Sequence, residues 1–362
     1  MISIKTPDKY ISEENILENA GEYIKQIGDY ALVIGGETAL SVAGGKFSNS
    51  LDLEKIRYST EKFRGYCTYK NIDNYALIAK ELGVNVIIGI GGGRVLDLVK
   101  AVGEKLKLPV ITIPTIVATC AAWSALSVIY DDEGRHKDFL LLENSPKLIL
   151  ADIKIIYDSP RRYLHAGIGD TIVKWYEAFP HKTVKKDITL RIGLQTSKLA
   201  LDILENYTDS IEKSEEVALD EKFRDVVDSI IVLAGLVGSI NGGNHIAAIA
   251  HTLHDSLTHI LDTRETLHGE KVAFGLIVQF ILEGRDKEEV KKLIKRLNIL
   301  EIPTTLVQLG IKDDIDNKVL NIIDDINFTT EQKNDLIFKV DGGLIKEAII
   351  KADEFGNEVL EA

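Results

Sequence analysis

The segment 85–114, NVIIGIGGGRVLDLVKAVGEKLKLPVITIP, decides the expected fold. Two short apolar runs, at 85–90 and 109–113, are typical of buried strands. A glycine triplet and a helical period over 94–106 lie between them. Strand–helix–strand order of this kind predicts a parallel sheet that is covered by helices on both faces.

The same alternation extends through the first part of the chain. Further strands are predicted at 30–34, 125–130 and 147–151, and further helices at 14–27 and 72–82. Beyond about residue 158 the strand patterns give way to long helical periods. These helices are predicted at 169–178, 188–207, 217–243, 245–261, 272–283 and 287–297. We therefore expect an α/β dinucleotide-binding domain with a parallel sheet at 1–158, and an all-α domain at 159–362.

The composition excludes several classes of protein. A chain of 362 residues is too long for one ordinary core, which agrees with two domains. The net charge of −13 argues against nucleic acid as a partner, because phosphate binding requires a basic face. Two cysteines cannot build a disulfide framework, and the pattern lacks a signal peptide and a bilayer-spanning run. We therefore expect a cytoplasmic protein without a membrane partner.

Two loops follow the predicted strands and are candidates for ligand binding. Gly91, Gly92 and Gly93 let the backbone approach a phosphate at a helix N-terminus, and Arg94 adds a positive charge. The alternative is a structural turn that allows close packing of helix on sheet. The segment 114–127, PTIVATCAAWSALS, is rich in hydroxyl groups and follows the next strand. Ligands bind at the carboxyl ends of strands in such sheets.

The segment 245–271, HIAAIAHTLHDSLTHILDTRETLHGEK, indicates a metal site in the helical half. It contains five of the eight histidines, namely His245, His251, His254, His259 and His268. The alternative is that they are ordinary surface or core groups. Asp170, in AGIGDTIVKWYEA at 166–178, is expected at or near a helix N-terminus, where a carboxylate either caps the helix or binds a metal.

Taken in order, these motifs resemble the metal-dependent group III alcohol dehydrogenases, the iron-containing type, and above all the glycerol dehydrogenases among them. The motifs are GIGGGRVLDLVKA, PTIVATCAAWSALSVIY, AGIGDTIVKWYEA, AHTLHDSLT and LHGEKVAFG, and the resemblance covers about residues 31–283. It implies the dehydroquinate synthase-like fold, NAD or NADP as cofactor, one divalent metal, a small-molecule substrate and a homo-oligomer.

The resemblance also implies roles for individual residues. Asp170, His254 and His268 correspond to the metal ligands, with His251 beside them. The residues that correspond to cofactor contacts are Gly36, Glu37, Gly91, Gly92, Gly93, Arg94, Thr115, Thr119, Ser124, Leu126 and Tyr130. At the position of a ribose-binding Asp stands Gly36, which leaves room for a 2′-phosphate. The neighbouring Glu37 could instead accept from a 2′-hydroxyl.

Three residues differ from patterns seen within this family and predict substrate contacts. Lys174 stands where the iron-dependent branch has a further histidine, which predicts a three-ligand site more typical of zinc than of iron. Lys174 shares a helix face with Asp170. Cys120 replaces the Asp that contacts a polyol, and the bulky Trp123 follows. Lys174, Cys120 and Trp123 together resemble a branch that reduces 2-oxo acids.

The expected function is a metal-dependent, NAD(P)-dependent dehydrogenase that moves a hydride between a nicotinamide and a glycerol-type polyol. One alternative is a 2-oxo acid reductase, or 2-hydroxycarboxylate dehydrogenase, in which Lys174 binds the substrate carboxylate. Lys174 could instead pair with an acid such as Glu177 or Asp255. A sugar-phosphate lyase of the dehydroquinate synthase type is another alternative, although the basic residues it needs are not found near the metal motifs. The remaining alternative is a nucleotide-binding or metal-storage protein that has no catalytic activity.

Overall fold

The computed structural model describes residues 4–181, 188–213, 217–240, 248–326 and 328–362. The chain divides into two compact units. The first contains the described residues 4–160 and 219–240, and the second contains the rest. The helical period predicted for 217–243 gives no sign that most of this segment belongs to the first unit.

The described residues of the first unit form the strands β1 (Lys9–Glu13), β2 (Tyr30–Gly35), β3 (Arg57–Lys62), β4 (Val86–Gly91), β5 (Val110–Pro114), β6 (Leu126–Tyr130), β7 (His136–Leu141) and β8 (Leu148–Asp152). Six of them build one sheet in the order β1-β8-β5-β4-β2-β3, in which all neighbouring strands are parallel. The predicted parallel sheet is confirmed. The strand expected at 125–130 lies outside that sheet, because β6 and β7 form a separate antiparallel pair.

Helices cover this sheet, and further helices form the second unit. They are α1 (Ala20–Ile24), α2 (Glu37–Leu53), α3 (Tyr69–Leu82), α4 (Gly93–Leu106), α5 (Ile153–Asp158), α6 (Arg161–Ala178), α7 (Ile188–Glu212), α8 (Glu221–Asp228), α9 (Ala234–Ser239), α10 (Ile249–Leu257), α11 (His268–Leu282), α12 (Lys287–Ile299), α13 (Ile315–Asp325), α14 (Thr330–Asp335) and α15 (Gly342–Leu360). The predicted α/β first part and helical second part are therefore confirmed. No helix among the described residues is long and apolar enough to cross a bilayer.

The core of the first unit explains why β4 and α4 lie where they do. β2, β4 and β5 are almost wholly buried, and apolar side chains pack on both faces of the sheet. α4 approaches the sheet closely, since a Cβ at Gly89 would lie only 2.4 Å from Val99 Cγ2. Glycine at this position therefore lets the middle of α4 pack directly on β4.

The segment 219–240 is tied to the first unit by a hydrogen bond and by close packing. The Tyr10 hydroxyl on β1 donates to Asp228 Oδ1 over 2.6 Å. A Cβ at Gly235 would lie 2.4 Å from Trp123 Cγ, so the indole packs directly on the helix backbone. These contacts join residues that are more than 100 positions apart along the chain.

In the second unit, α6 and α11 approach each other through two glycines. A Cβ at Gly269 would lie 1.8 Å from the Ala166 carbonyl oxygen, and one at Gly169 would lie 3.0 Å from the Gly269 oxygen. Gly169 thus lies inside α6 and does not mark the start of a helix. Because it has no side chain, α6 and α11 can pack closely there. The expectation that Asp170 lies near a helix N-terminus is therefore wrong, because α6 already begins at Arg161.

Candidate functional site

The glycine loop, Gly91–Gly93, joins β4 to α4 and lies against the hydroxyl-rich loop 114–127. The Thr115 amide donates to the Gly91 carbonyl over 3.2 Å, and a Cβ at Gly93 would lie 3.5 Å from Thr119 Oγ1. Gly92 precedes the 14-residue α4, whose first amide groups have no partner within the helix. The two loops predicted to bind cofactor therefore meet at the carboxyl end of neighbouring strands, where a phosphate fits the amide groups.

A buried lysine that the sequence analysis did not identify holds the hydroxyl-rich loop in place. Lys100 on α4 is 2% exposed and pairs with Asp97 over 3.0 Å. Its ammonium also donates to Ser124 Oγ over 3.0 Å and to the Leu126 carbonyl. The predicted cofactor residues Ser124 and Leu126 therefore have contacts within the protein. The available signal was the Asp–Lys pair, three residues apart, inside an otherwise apolar helix.

Arg94, the other predicted phosphate contact, is exposed at the first turn of α4. Its guanidinium lies 4.6 Å from the centre of the Tyr66 ring, and Tyr66 lies 5.7 Å from the ring of Tyr130. Stacking on an aromatic ring restricts the arginine side chain and leaves the N–H donors at the edge of the guanidinium able to form hydrogen bonds.

The two substrate contacts predicted in the hydroxyl-rich loop have different environments. Cys120 is partly buried and forms no disulfide. Trp123 is 8% exposed and lies edge-to-face with Tyr10, with the ring centres 6.2 Å apart. The Trp123 contacts that the structure describes are with the protein core. A contact of either residue with substrate stays a prediction.

The end of β2 carries Gly36 and Glu37, the predicted ribose contacts. Gly36 immediately precedes α2, and Glu37 is the first residue of that helix. The Glu37 carboxylate accepts from Arg64 over 2.5 Å and from Lys62 over 3.1 Å. The hydrogen bonds from Arg64 and Lys62 lower the pKa of Glu37.

One face of α6 in the second unit presents three ionisable side chains, two of them acidic. Asp170, Lys174 and Glu177 follow at positions i, i+4 and i+7, so they lie along one stripe of the helix. Asp170 and Glu177 are buried. The Lys174 ammonium lies 3.3 Å from Asp170 Oδ1, in agreement with the predicted shared helix face.

Asp170, His251 and His268 form a donor cluster that could hold a metal ion. One ligand atom from each of the three lies within 4.8 Å of the others. Nε2 of His251 lies 3.2 Å, and Nε2 of His268 3.4 Å, from the same oxygen, Asp170 Oδ1. One carboxylate and two imidazoles are a usual ligand set for zinc, and they leave a position open for substrate.

Further side chains orient the two histidine rings of this cluster. His251 Nδ1 donates to Glu177 Oε2 over 2.6 Å, which leaves Nε2 directed at Asp170. His254 Nδ1 donates to Asp255 over 3.0 Å, so its Nε2 accepts from His268 Nδ1 over 2.9 Å. Each cluster histidine thus donates through Nδ1 and presents Nε2, the arrangement that fixes metal-binding rings in metalloproteins.

The structure gives the two histidines of α10 different contacts. The His251 ring reaches Asp170, whereas the His254 ring contacts His268. Ligation by His254, with His251 beside it, stays a prediction from the sequence. Both lie on α10, three residues apart, so the spacing alone allows either. His259 pairs with Asp325, and His245 lies outside the described residues.

Burial and neighbouring groups shift the pKa values within the cluster strongly and in different directions. Burial alone would raise the pKa of Asp170, but Lys174 and the hydrogen bonds from the two histidines hold it well below its usual range. Burial opposes a charge on His251, yet Glu177 and Asp170 raise its pKa to about 10. Burial and His268 lower the pKa of His254 to about 3, so its ring stays neutral and can accept a hydrogen bond.

The first turn of α11 is fixed by an ion pair with α6. Glu270 accepts from the Leu267 amide over 2.7 Å, which caps the helix beside His268. Arg162 donates to both oxygens of Glu270, over 2.6 and 2.8 Å. His268 is therefore held by the backbone of its helix as well as by its ring contacts.

Comparison with known proteins gives consistent matches. Residues 7–153 match the family model of iron-containing alcohol dehydrogenase. The chain is 32% identical over 361 residues to a glycerol dehydrogenase of Citrobacter freundii, covering 99% of this chain and 98% of that protein. It is 36% identical over 293 residues to hydroxycarboxylate dehydrogenase A of Escherichia coli K12, covering 80% and 79%. Among solved structures, a glycerol dehydrogenase of Schizosaccharomyces pombe is similar with a TM-score of 0.84 at 26% identity, covering 99% of this chain and 92% of that one.

Proposed function

We propose that this chain, which belongs to the iron-containing alcohol dehydrogenase family and to its glycerol dehydrogenase-like group, moves a hydride between NAD(P) and a small hydroxy or keto substrate bound at a divalent metal. The donor cluster of Asp170, His251 and His268 is the observation that carries the proposal. The first unit would hold the dinucleotide at its glycine loop, and the second would hold the metal.

The residues present fit both groups. For the metal, three donors of the required kinds converge, and each histidine has a partner that presents its Nε2. For the dinucleotide, the glycine loop lets the backbone approach a pyrophosphate, and a Cβ at Gly36 would meet nothing within 4 Å. A divalent metal there would act as a Lewis acid toward the substrate oxygen, and the nicotinamide would accept or supply the hydride.

The side chains around the cluster have separate tasks in this reaction. Asp170 supplies negative charge, and Glu177 and His254 keep the two rings in one orientation. Lys174 adds a positive charge at the same oxygen, 3.3 Å away. A divalent ion beside Asp170 would repel this ammonium, and the flexible side chain can then turn toward an anionic group of the substrate.

Lys174 also favours a second candidate substrate, a 2-oxo or 2-hydroxy acid. Its side chain is 14% exposed and lies where it could reach a substrate carboxylate. The similarity to hydroxycarboxylate dehydrogenase A supports the same substrate class. A glycerol-type polyol remains the first candidate, since several of the relatives are glycerol dehydrogenases. The lyase alternative is not favoured, because the matching relatives named above are dehydrogenases.

Metal dependence is tested by chelation followed by calorimetric titration with Zn²⁺ or Fe²⁺. We expect one binding site per chain, loss of turnover in the stripped protein and recovery on adding metal. Initial rates are then compared for glycerol, butanediol, lactaldehyde and 2-oxobutyrate with each cofactor. Turnover that survives complete removal of metal, or none with metal and cofactor both present, contradicts the proposed function.

The substrate class is tested with Lys174→Ala. If Lys174 binds a carboxylate, the variant loses most of its kcat/KM for 2-oxobutyrate but retains kcat/KM for lactaldehyde. Lys198→Ala is the matched control, since Lys198 pairs with Asp202 on the surface of α7 in the same unit. An unchanged ratio of the two kcat/KM values in Lys174→Ala leaves the polyol as the substrate.

A further inference from the structure

Four residues at the ends of β2 and β3 form what we call the ribose corner: Gly36, Glu37, Lys62 and Arg64. β2 lies between β4 and β3, and Gly35 is in register with Ile90 on one side and with Lys62 on the other. The corner therefore lies at the same sheet edge as the glycine loop, about 5 Å to the side per strand. In doubly wound sheets the adenosine ribose of a dinucleotide binds next to the strand that carries the glycine loop.

Glycine at position 36 is required neither by backbone conformation nor by packing. Its φ of −68° and ψ of 153° are accessible to every residue. A Cβ there would meet nothing within 4 Å among the described residues. Gly36 also precedes α2, a position where Asp, Asn or Ser would stabilise the helix more. What the glycine does provide is open space, since it adds neither a side chain nor a charge of its own beside the expected ribose.

The side chains of the corner carry a net positive charge. Lys62 and Arg64 both pair with the single carboxylate of Glu37, which leaves one positive charge in excess. Their side chains are 65% and 82% exposed, so an anionic ligand can reach them. Tyr75 donates to the Lys62 carbonyl over 2.8 Å, which fixes the end of β3. A phosphate suits these donors, because guanidinium binds phosphate oxygens in pairs.

The charge of Glu37 is already balanced by cations. Its Oε1 accepts from Lys62 and its Oε2 accepts from Arg64. A 2′-phosphate would share the two cations with Glu37, which holds them at the sheet edge.

We propose that the ribose corner binds the 2′-phosphate of the dinucleotide, so that this chain uses NADP(H) in preference to NAD(H). The inference rests on the proposed function, since it concerns the cofactor of that reaction. Lys62 and Arg64 donate to the phosphate oxygens, and Gly36 leaves the volume in which the phosphate lies.

Equilibrium binding of NADPH and NADH, followed by nicotinamide fluorescence, tests this inference without turnover. We expect NADPH to bind the wild-type chain at least about tenfold more tightly than NADH, which corresponds to one charge-assisted hydrogen bond or more. Lys62→Gln and Arg64→Gln should each weaken NADPH binding about tenfold and change NADH binding less than about twofold. Lys105→Gln, which removes an exposed cation paired with Asp73 elsewhere in this unit, should change neither.

Gly36→Asp supplies the reverse test. The new carboxylate should repel the 2′-phosphate and accept from a ribose hydroxyl, so the preference turns toward NADH. Circular dichroism checks that Gly36→Asp is folded. If it is not, the Lys62 and Arg64 variants still test the inference. Wild-type binding of NADH as tight as that of NADPH overturns the inference while the dehydrogenase function stands. Binding of neither dinucleotide contradicts the proposed function itself.

Discussion

The glycine loop of the first unit and the donor cluster of the second differ in how far apart their residues lie in the sequence. The loop is three consecutive residues between β4 and α4, and its chemistry lies in the backbone. The cluster joins side chains from α6, α10 and α11, with almost 100 residues between Asp170 and His268. A local motif can be recognised from the amino-acid sequence alone. A cluster of side chains that are distant in the sequence depends on the rotation and packing of the helices that carry them.

Replacing Asp170 by Asn should have the largest effect on function. The variant loses the charged ligand, so metal affinity collapses and kcat/KM falls by about a thousandfold, the equivalent of several kcal/mol of Lewis-acid stabilisation. Dinucleotide binding should not change if the glycine loop forms independently of the cluster. Metal content by atomic absorption and NADPH titration measure the two separately. Asp202→Asn on α7 is the control, and a loss of both kinds of binding in Asp170→Asn would contradict independent sites.

The next comparison concerns the two histidines of α10. If His251 is the ligand, His251→Ala should weaken Zn²⁺ binding more than a hundredfold, whereas His254→Ala, which removes the partner of His268, should weaken it only about tenfold. Competition of each variant with a chromophoric chelator gives these affinities. His259→Ala should bind metal like the wild type, because His259 pairs with Asp325. If His254→Ala has the larger effect, the ligand set predicted from the sequence is the correct one.

Adding a side chain to the glycine loop tests whether this loop binds the dinucleotide. Gly92→Val should weaken dinucleotide binding about tenfold or more, because the new side chain blocks the backbone approach to the pyrophosphate and a Cβ there lies 2.6 Å from Ile116. Zn²⁺ affinity should stay unchanged. Gly45→Ala is the control, since a Cβ at Gly45 meets nothing within 4 Å. Equal dinucleotide affinity in Gly92→Val would mean that the loop is a structural turn only.

The smallest expected effect concerns the pH dependence of the first unit. Burial raises the pKa of Asp228, which accepts from Tyr10. The folded chain therefore holds this proton more tightly than the unfolded chain, and its contribution to the free energy of unfolding falls as pH rises through the unfolded and then the folded pKa. Asp228→Asn should remove that decline in urea titrations at pH values above the unfolded Asp pKa of about 4. The same pH dependence of unfolding in Asp228→Asn and in the wild type would contradict this expectation. Glu221→Gln, an exposed acid on the same helix, is the control.

Most of the fold could be predicted from periodicity, and the misses have physical causes. β2, β4, β5 and β8 are apolar because both faces are buried, so their patterns were clear. β3 is an edge strand with the sequence RYSTEK and partly exposed side chains, so it carries no such pattern. α2 was missed because Gly44 and Gly45 interrupt it, and Gly44 has a φ of 40°.

Some residues of the candidate site could be predicted from the sequence and others could not. The glycine loop, the hydroxyl-rich loop and the Asp170–Lys174 face follow from local spacing, and the structure brings each together as expected. Glu177 was noted only as a possible partner of Lys174, yet it orients His251. Lys100 was not noted at all. Both act on residues that are distant in sequence, so no local pattern marks them.

By itself the sequence determined the parallel sheet, the helical second part and the residue types available for a metal and a phosphate, because periodicity and motif order are properties of the chain. Only the tertiary structure decided that His251 rather than His254 faces Asp170, and that Lys62 and Arg64 meet at Glu37. The rotation of α10 and the pairing of β2 with β3 fix those contacts. Both depend on packing among distant segments, through glycines such as Gly269, which spacing along one chain does not record.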